Sequence, residues 1–435
     1  MQQPEPESAR ALILGAYRAA LDAVDPERAT AREIESLVAS HAIPEGPGSI
    51  NVLAIGKAAI PMTRGCTRIL GPRCRRVLAI TKDGHATVEI PPDWQVYVGA
   101  HPVPDQRSVD ATDALLSWLA RESPATATIC LISGGGSALL EQPRPGISLA
   151  DMQTVTRSLL NAGADIHALN AVRSQLSAVK GGQLRSAIRS RVCLSLLLSD
   201  VLGNDPTVIA SGPTIPIKTT RKEAVDILER FNLLSSLPES VRVLLESEET
   251  IQPAAHQEDI VRIVGDNLTA LEAARTWFAS AGLQPLIVWQ NTTGEARVRA
   301  RGWVESLTGI DANVDAVLGG GELTVTVRGQ GNGGRNTEFV LSAALALAEA
   351  NLPEWTLASL ATDGQDALTG LAGASADATS VDAMRRAGID PEKALAANDS
   401  ATALAAIGAT VETGPTGTNV NDLYLAIRSH ATMVL

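Results

Sequence analysis

The chain has 435 residues, 45% of them hydrophobic and 19% charged, and 36 basic against 48 acidic side chains give a formal net charge of −12. That length suits two or three domains with sizeable cores, and the low charged fraction excludes extensive disorder. The acidic balance excludes nucleic acid and anionic membrane as partners of the whole chain, so an anionic small substrate requires a local gathering of bases.

With only 3% aromatic residues, the cores are expected to be packed by Ala, Leu, Val and Ile. The start, MQQPEPES, lacks the basic-then-apolar order of a secretory signal, and no apolar run approaches the roughly 20 residues that span a bilayer. Cys66, Cys74, Cys130 and Cys193 show neither a C-x-x-C pair nor zinc spacing; Cys130 and Cys193 read as small buried residues. A soluble, cytoplasmic protein is the expectation.

In chain order, short apolar runs alternate with amphipathic, Ala-rich stretches, the pattern of an α/β fold. Strands are predicted at Val52–Ile55, Val77–Ile80, Val96–Val98, Thr128–Ile132 and Val192–Leu198, with helices over Arg107–Leu119 and Leu149–Leu160. Several strands are apolar on both faces, as in a mostly parallel sheet covered by helices. The polar stretch from Ser235 to Asp259 is the predicted domain boundary. Beyond it, strands are predicted at Ile260–Val264, Pro285–Trp289, Ala316–Leu318, Leu323–Val327, Thr356–Leu360 and Leu423–Ile427. The expected domains are 1–240 and 255–435, with the final strand able to return to the first.

Glycine-rich turns at predicted strand ends, where open α/β sheets place ligands, carry the chemistry. In LAIGKAA, Gly56 lets the backbone approach an anion and Lys57 adds a charge at a helix start; the other reading of Lys57 is a solvated helix residue. This is no Walker A loop, since Asn51 and Ala58 stand where Gly and Ser or Thr belong. In LISGGGSALL, Gly134, Gly135 and Gly136, flanked by Ser133 and Ser137, read as an N–H cradle for phosphate rather than a plain turn, because three glycines in a row are entropically costly. In LLLSDVLGNDPTVIASGPT, Asp200 and Asp205 suit Mg²⁺ beside phosphate, or else cap turns.

Gly329, Gly331 and Gly334 formally satisfy G-x-G-x-x-G, which would suit a nicotinamide dinucleotide with Asp363 on its ribose. Against this, the preceding stretch alternates in polarity, Asp363 lies too far along, and Arg335 and Asn336 at the next helix start suit anion recognition. Thr416 and Asn419, in TGPTGTNVNDL, suit a polar ligand. By spacing alone Arg173 and Lys180 read as solvated helix charges, and His101 in HPVPD as part of a rigid turn.

The ordered set IGKAA, HPVPD, LISGGGSALL, NAVRSQLSAVKGG, LSDVLGNDPTVIASGPT, GGGELTVTVRGQGNGGRNTEF, ATDGQD and TGPTGTNVNDL resembles the glycerate 2-kinase family with a C-terminal MOFRL domain. Bacterial members of that family are often labelled hydroxypyruvate reductases. The resemblance runs from about Gly15 to the C-terminus. It implies two α/β domains, the first Rossmann-like with a mostly parallel sheet and the second a smaller mixed-sheet unit, with the active site in the cleft between them.

The implied activity is ATP-dependent, Mg²⁺-assisted phosphorylation of D-glycerate at its 2-hydroxyl, by a monomer or homodimer. The family's lysine and arginine fall on Lys57 and Arg335, and its acids on Asp200, Asp205 and Asp363. Ser133, Gly134, Gly135, Gly136, Ser137, Lys180, Gly333 and Gly334 are expected at nucleotide phosphates, and Arg173, Asn336, Thr416 and Asn419 at the substrate. Asn204, Gln175 and Ala367 depart from the family's acid, histidine and glycine. Two other readings are an NAD(P)-dependent hydroxypyruvate reductase and a non-catalytic sugar-acid sensor.

Overall fold

The computed structural model describes residues 8–85, 89–121, 127–247 and 258–429. It divides into two compact units, Pro26–Val264 and a discontinuous one made of Met1–Asp25 and Gly265–Leu435.

In the first unit the strands are β1 (Ile50–Ile55), β2 (Cys74–Lys82), β3 (Trp94–Gly99), β4 (Ala127–Ile132), β5 (Cys193–Leu198) and β6 (Ile260–Gly265), in the order β3-β2-β1-β4-β5-β6. Neighbours from β3 to β5 are parallel. β1, β4 and β5 are buried at every position, as their unbroken apolar sequences require. Ile55 is in register with both Ile80 and Ile132, so β1, β2 and β4 end along one edge. The chain order reverses between β1 and β4, and there two of the glycine turns meet.

The helix Gln106–Leu119 is capped by Asp105, whose carboxylate accepts from the Arg107 N–H at 2.9 Å. The helix Leu149–Asn161 starts with a Ser148/Asp151 capping box and joins Ile166–Leu176, Arg221–Arg230 and Glu239–Glu246 around Met152, Leu159, Val172, Leu228 and Val241.

The division falls at Val264/Gly265 rather than inside Ser235–Asp259, of which 248–257 lie outside the described residues. The reason is packing. Glu239–Glu246 buries Val241 and Leu245 in the first unit. Asp259 accepts from Arg185 at 2.6 and 3.0 Å and from the Cys193 N–H at 3.1 Å, which ties the approach to β6 to the sheet.

In the second unit the strands are β7 (Pro285–Thr292), β8 (Ala316–Gly321), β9 (Trp355–Ala361), β10 (Gly373–Asp377), β11 (Thr410–Val411) and β12 (Asp422–Arg428), in the order β11-β10-β9-β12-β8-β7. Only β7 and β8 are parallel; the remaining neighbours are antiparallel, so the sheet is mixed. The final strand lies inside this sheet, between β9 and β8.

The described residues 8–25 also belong here, contrary to the expected 1–240 domain. The helix Ala9–Ala23 buries Leu12, Ile13 and Tyr17, and a Cβ on Gly15 would stand 2.5 Å from the Trp277 ring. Two strand predictions also change. β8 runs on through Gly319–Gly321, where a Cβ on Gly319 would strike Trp303 and Trp289 at 2.8 and 2.9 Å. Leu323–Val327 is no strand, and makes only a single bridge from Thr324 to Glu295. Among the described residues no helix is long and apolar enough to cross a membrane.

Candidate active site

The turns after β1 and β4 interlock. The Lys57 N–H donates to the Gly134 carbonyl at 2.9 Å, and the Ala58 N–H to Ser133 Oγ at 3.0 Å. Gly56 has φ +127°, and a Cβ there would lie 2.2 Å from Ser133 Oγ. A Cβ on Gly134 would lie 2.1 Å from an Asp200 carboxylate oxygen, and one on Gly135, at φ +81°, would lie 3.1 Å from the His101 ring and 3.2 Å from the Lys57 side chain. These glycines therefore bring backbone against a lysine and a carboxylate. The N–H groups of Gly134 and Gly135 have no hydrogen-bond partner among the described residues, whereas Gly136 donates to the Ser133 carbonyl at 3.3 Å. The expected cradle is thus reduced to two free donors.

Burial holds the Asp200 carboxyl above its ordinary range, with Lys57 pulling the other way. Burial, then Lys57, Lys82 and His85, lower the His101 imidazole to about 4. Burial also lowers His85, whose Nδ1 lies 2.8 Å from the Lys57 carbonyl. Both rings are neutral near pH 7, so positive charge at the turn comes from the lysines. His85 and Lys82 escaped the sequence reading; the short KDGH run ending β2 was their only signal.

Asp205 accepts from Thr207 N–H and Oγ1 at 2.9 and 2.6 Å, which makes it a turn-former, with His167 4.0 Å from its second oxygen. Asn204 has φ +57°, a conformation that asparagine tolerates. Gln175 donates to the Thr219 carbonyl at 2.8 Å.

Lys180 requires a correction. It is 1% exposed and donates to the Ser137 and Leu140 carbonyls, both at 2.7 Å, with Glu141 at 3.3 Å. Burial lowers it to about 8, opposed by Glu141. Its charge is committed inside the protein, not offered to phosphate. Arg173 donates to Ser137 Oγ at 2.8 Å and to Glu141 at 3.2 Å. Burial would raise Glu141, but Lys180 and Arg173 outweigh it and hold the carboxyl below its usual range. Ser137 continues the network through Ser211 to Asn170, at 2.8 and 2.9 Å. Glu141 was missed because one acid after an apolar run carries no pattern.

In the second unit, Arg335 opens the helix Arg335–Glu349 and grips the fully buried Asp422 through Nε and Nη2, at 2.5 and 2.8 Å. Burial alone would lower its pKa, but Asp422 drives it far above the usual value, so its charge is permanent. Asp366 accepts from the Asn336 and Thr337 N–H groups at 2.9 and 2.8 Å and so caps this helix. A Cβ on Gly334 would lie 2.3 Å from the Asp366 carboxylate.

Asn336, expected at the substrate, is instead fully buried and accepts from Ser359 at 2.5 Å. The glycine loop faces its own unit. Arg328 and Gly329 N–H donate to Asn398 at 2.8 and 3.0 Å, Gly331 to the Ala397 carbonyl at 3.0 Å, and Asn332 to Asp399 at 2.8 Å. Gly334 donates to Thr337 at 2.9 Å. That leaves Gly333 as the expected phosphate donor whose N–H has no partner among the described residues. These bonds consume the donors that a dinucleotide pyrophosphate would need.

Asp363 accepts from the Gln365 N–H at 2.9 Å, Thr416 donates to the Thr362 carbonyl at 2.6 Å, and Asn419 accepts from the Asn421 N–H at 3.1 Å. Ala367 sits at φ +56°, a conformation in which a glycine would be unstrained. Among the described residues no group of three or more His, Cys, Asp or Glu is placed to hold a metal ion.

The parallel Rossmann-like sheet and the mixed α/β unit together give the fold of a solved glycerate kinase. The solved glycerate kinase of Thermotoga maritima matches with a TM-score of 0.88 at 33% identity, over 97% of this chain and 100% of that one. Residues 12–246 match a family described as a domain of unknown function, DUF4147, and 315–422 match the MOFRL family. By sequence the chain is 35% identical to the D-glycerate 2-kinase of Thermotoga maritima, over 97% of this chain and 99% of that protein. It is 38% identical to an Agrobacterium vitis protein provisionally named a hydroxypyruvate reductase, over 96% and 94%. The chain belongs to the glycerate 2-kinase family.

Proposed function

We propose that this protein transfers the γ-phosphoryl group of ATP to the 2-hydroxyl of D-glycerate, giving 2-phospho-D-glycerate. The observation that carries the reading is the β1–β4 turn, where two unpartnered N–H groups, Lys57 and Asp200 converge. Phosphoryl transfer needs positioning and neutralised charge more than covalent catalysis. The Gly134 and Gly135 N–H groups hold phosphate oxygens, and Lys57 balances their charge.

Asp200 fits a cation: its carboxyl is driven up by burial, Lys57 is the charge that opposes this, and Mg²⁺ needs only one or two protein carboxylates. When bound, Mg²⁺ supplies further neutralisation of the phosphates. Arg335, kept charged by Asp422, retains an Nη1 nitrogen that Asp422 does not engage, a donor suited to an anion.

The test is incubation with D-glycerate, ATP and Mg²⁺, with ³¹P NMR of the product. 2-Phosphoglycerate is expected; NADH oxidation by hydroxypyruvate without ADP formation would overturn the reading. Lys57→Ala is expected to lower kcat/KM at least about 100-fold, the scale of losing one preorganised charge at developing anions, with melting unchanged.

A further inference from the structure

A cavity of about 290 Å³ in the unit Pro26–Val264 adjoins the glycine turn. One end is lined by Gly135 and Ser137, and its walls by Val103, Pro104, Met152, Gln153 and Leu160. Its volume lies near the lower end of the roughly 300–1,000 Å³ typical of small-molecule sites. Val103 and Leu160 are 58% and 57% exposed, high for large apolar side chains, and both face this one cavity. A three-carbon hydroxy acid would leave that wall wet; a flat heteroaromatic base would cover it.

Gln153 supplies direction. Its Nε2 donates to the Pro104 carbonyl at 2.7 Å, which fixes the amide so that Oε1 is left as an acceptor. An acceptor suits the 6-amino group of adenine and opposes the 6-oxo group of guanine.

We propose that this cavity seats the adenine base of the nucleotide, with Leu160 and Val103 covering the ring and Gln153 selecting adenine over guanine. The proposal rests on the kinase reading above, because the phosphates of the same nucleotide extend to Gly134 and Gly135.

Calorimetric titration of the full chain with ADP and with GDP, in Mg²⁺, tests it without turnover. The wild type is expected to bind ADP at least tenfold more tightly than GDP. Leu160→Asp is expected to weaken ADP at least tenfold, and Gln153→Ala to abolish the preference over GDP. Leu160 is more than half exposed, so its variant should keep the wild-type melting curve. No ADP binding by the wild type, equal binding of ADP and GDP, or variants that bind ADP within twofold of the wild type would overturn the proposal. The two readings fail separately. ADP binding with this pattern but no phosphorylation of D-glycerate keeps the pocket and removes the kinase; turnover with ADP binding indifferent to both substitutions does the reverse.

Discussion

Lys180 shows how a buried charge is held. Its ammonium answers two carbonyls of the segment that follows the glycine turn and shares Glu141 with Arg173. Removing one member of such a buried set strands the others. Lys180→Met should therefore lower the stability of this unit by about 3–5 kcal/mol, read from urea unfolding.

His101 makes a pH prediction of definite sign. Its folded pKa, about 4, lies below the unfolded value of 6.5. As pH falls from 6.5 toward 4, unfolded chains take up a proton that the folded site refuses, so stability declines. Below pH 4 this contribution levels off, and above 6.5 it vanishes. Thermal melting across pH 4–7 should show a steeper acid loss for the wild type than for His101→Gln.

At the scale of elements, the helix Arg335–Glu349 starts without a capping side chain of its own, because Gly334 occupies the N-cap. Asp366, about 30 residues on, does that work and also fixes the approach of Gly334. Asp366→Ala should cost about 1–3 kcal/mol through the N–H groups left unpaired. It should also loosen Arg335, which hydrogen exchange at the first helical turn would register.

Strand elements were the most readable from sequence. β1, β4 and β5 match the predicted runs within a residue or two, since a strand buried on both faces leaves a continuous apolar segment. Leu323–Val327 misled because alternation describes any extended chain with one covered side, whether or not it pairs along its length.

For the whole molecule, the helix Ala9–Ala23 is stitched into a unit whose other residues begin at Gly265. Leu12, Ile13, Ala16 and Tyr17 are buried there, and the Tyr17 hydroxyl donates to the Ala361 carbonyl at 2.6 Å. Each large apolar side chain contributes about 1.5–3 kcal/mol. A chain starting at Pro26 should therefore lose the cooperative melting of that unit and become prone to aggregate, visible by calorimetry and light scattering.

What the sequence determined by itself was the kind of fold, the glycine turns, and the presence of Lys57, Asp200 and Arg335 beside them. Those features are local, written in apolar periodicity and in glycines that no ordinary turn requires. What only the tertiary structure decided was how each polar group is used. Lys180 and Asn336 looked available and are buried, Gly329 and Gly331 spend their N–H groups on residues near 398, and Glu141 and Asp422 set the charge state of bases far away in sequence. Burial and hydrogen-bond partnership arise from contacts between distant segments. A net charge of −12 cannot reveal which few bases remain free to meet an anion.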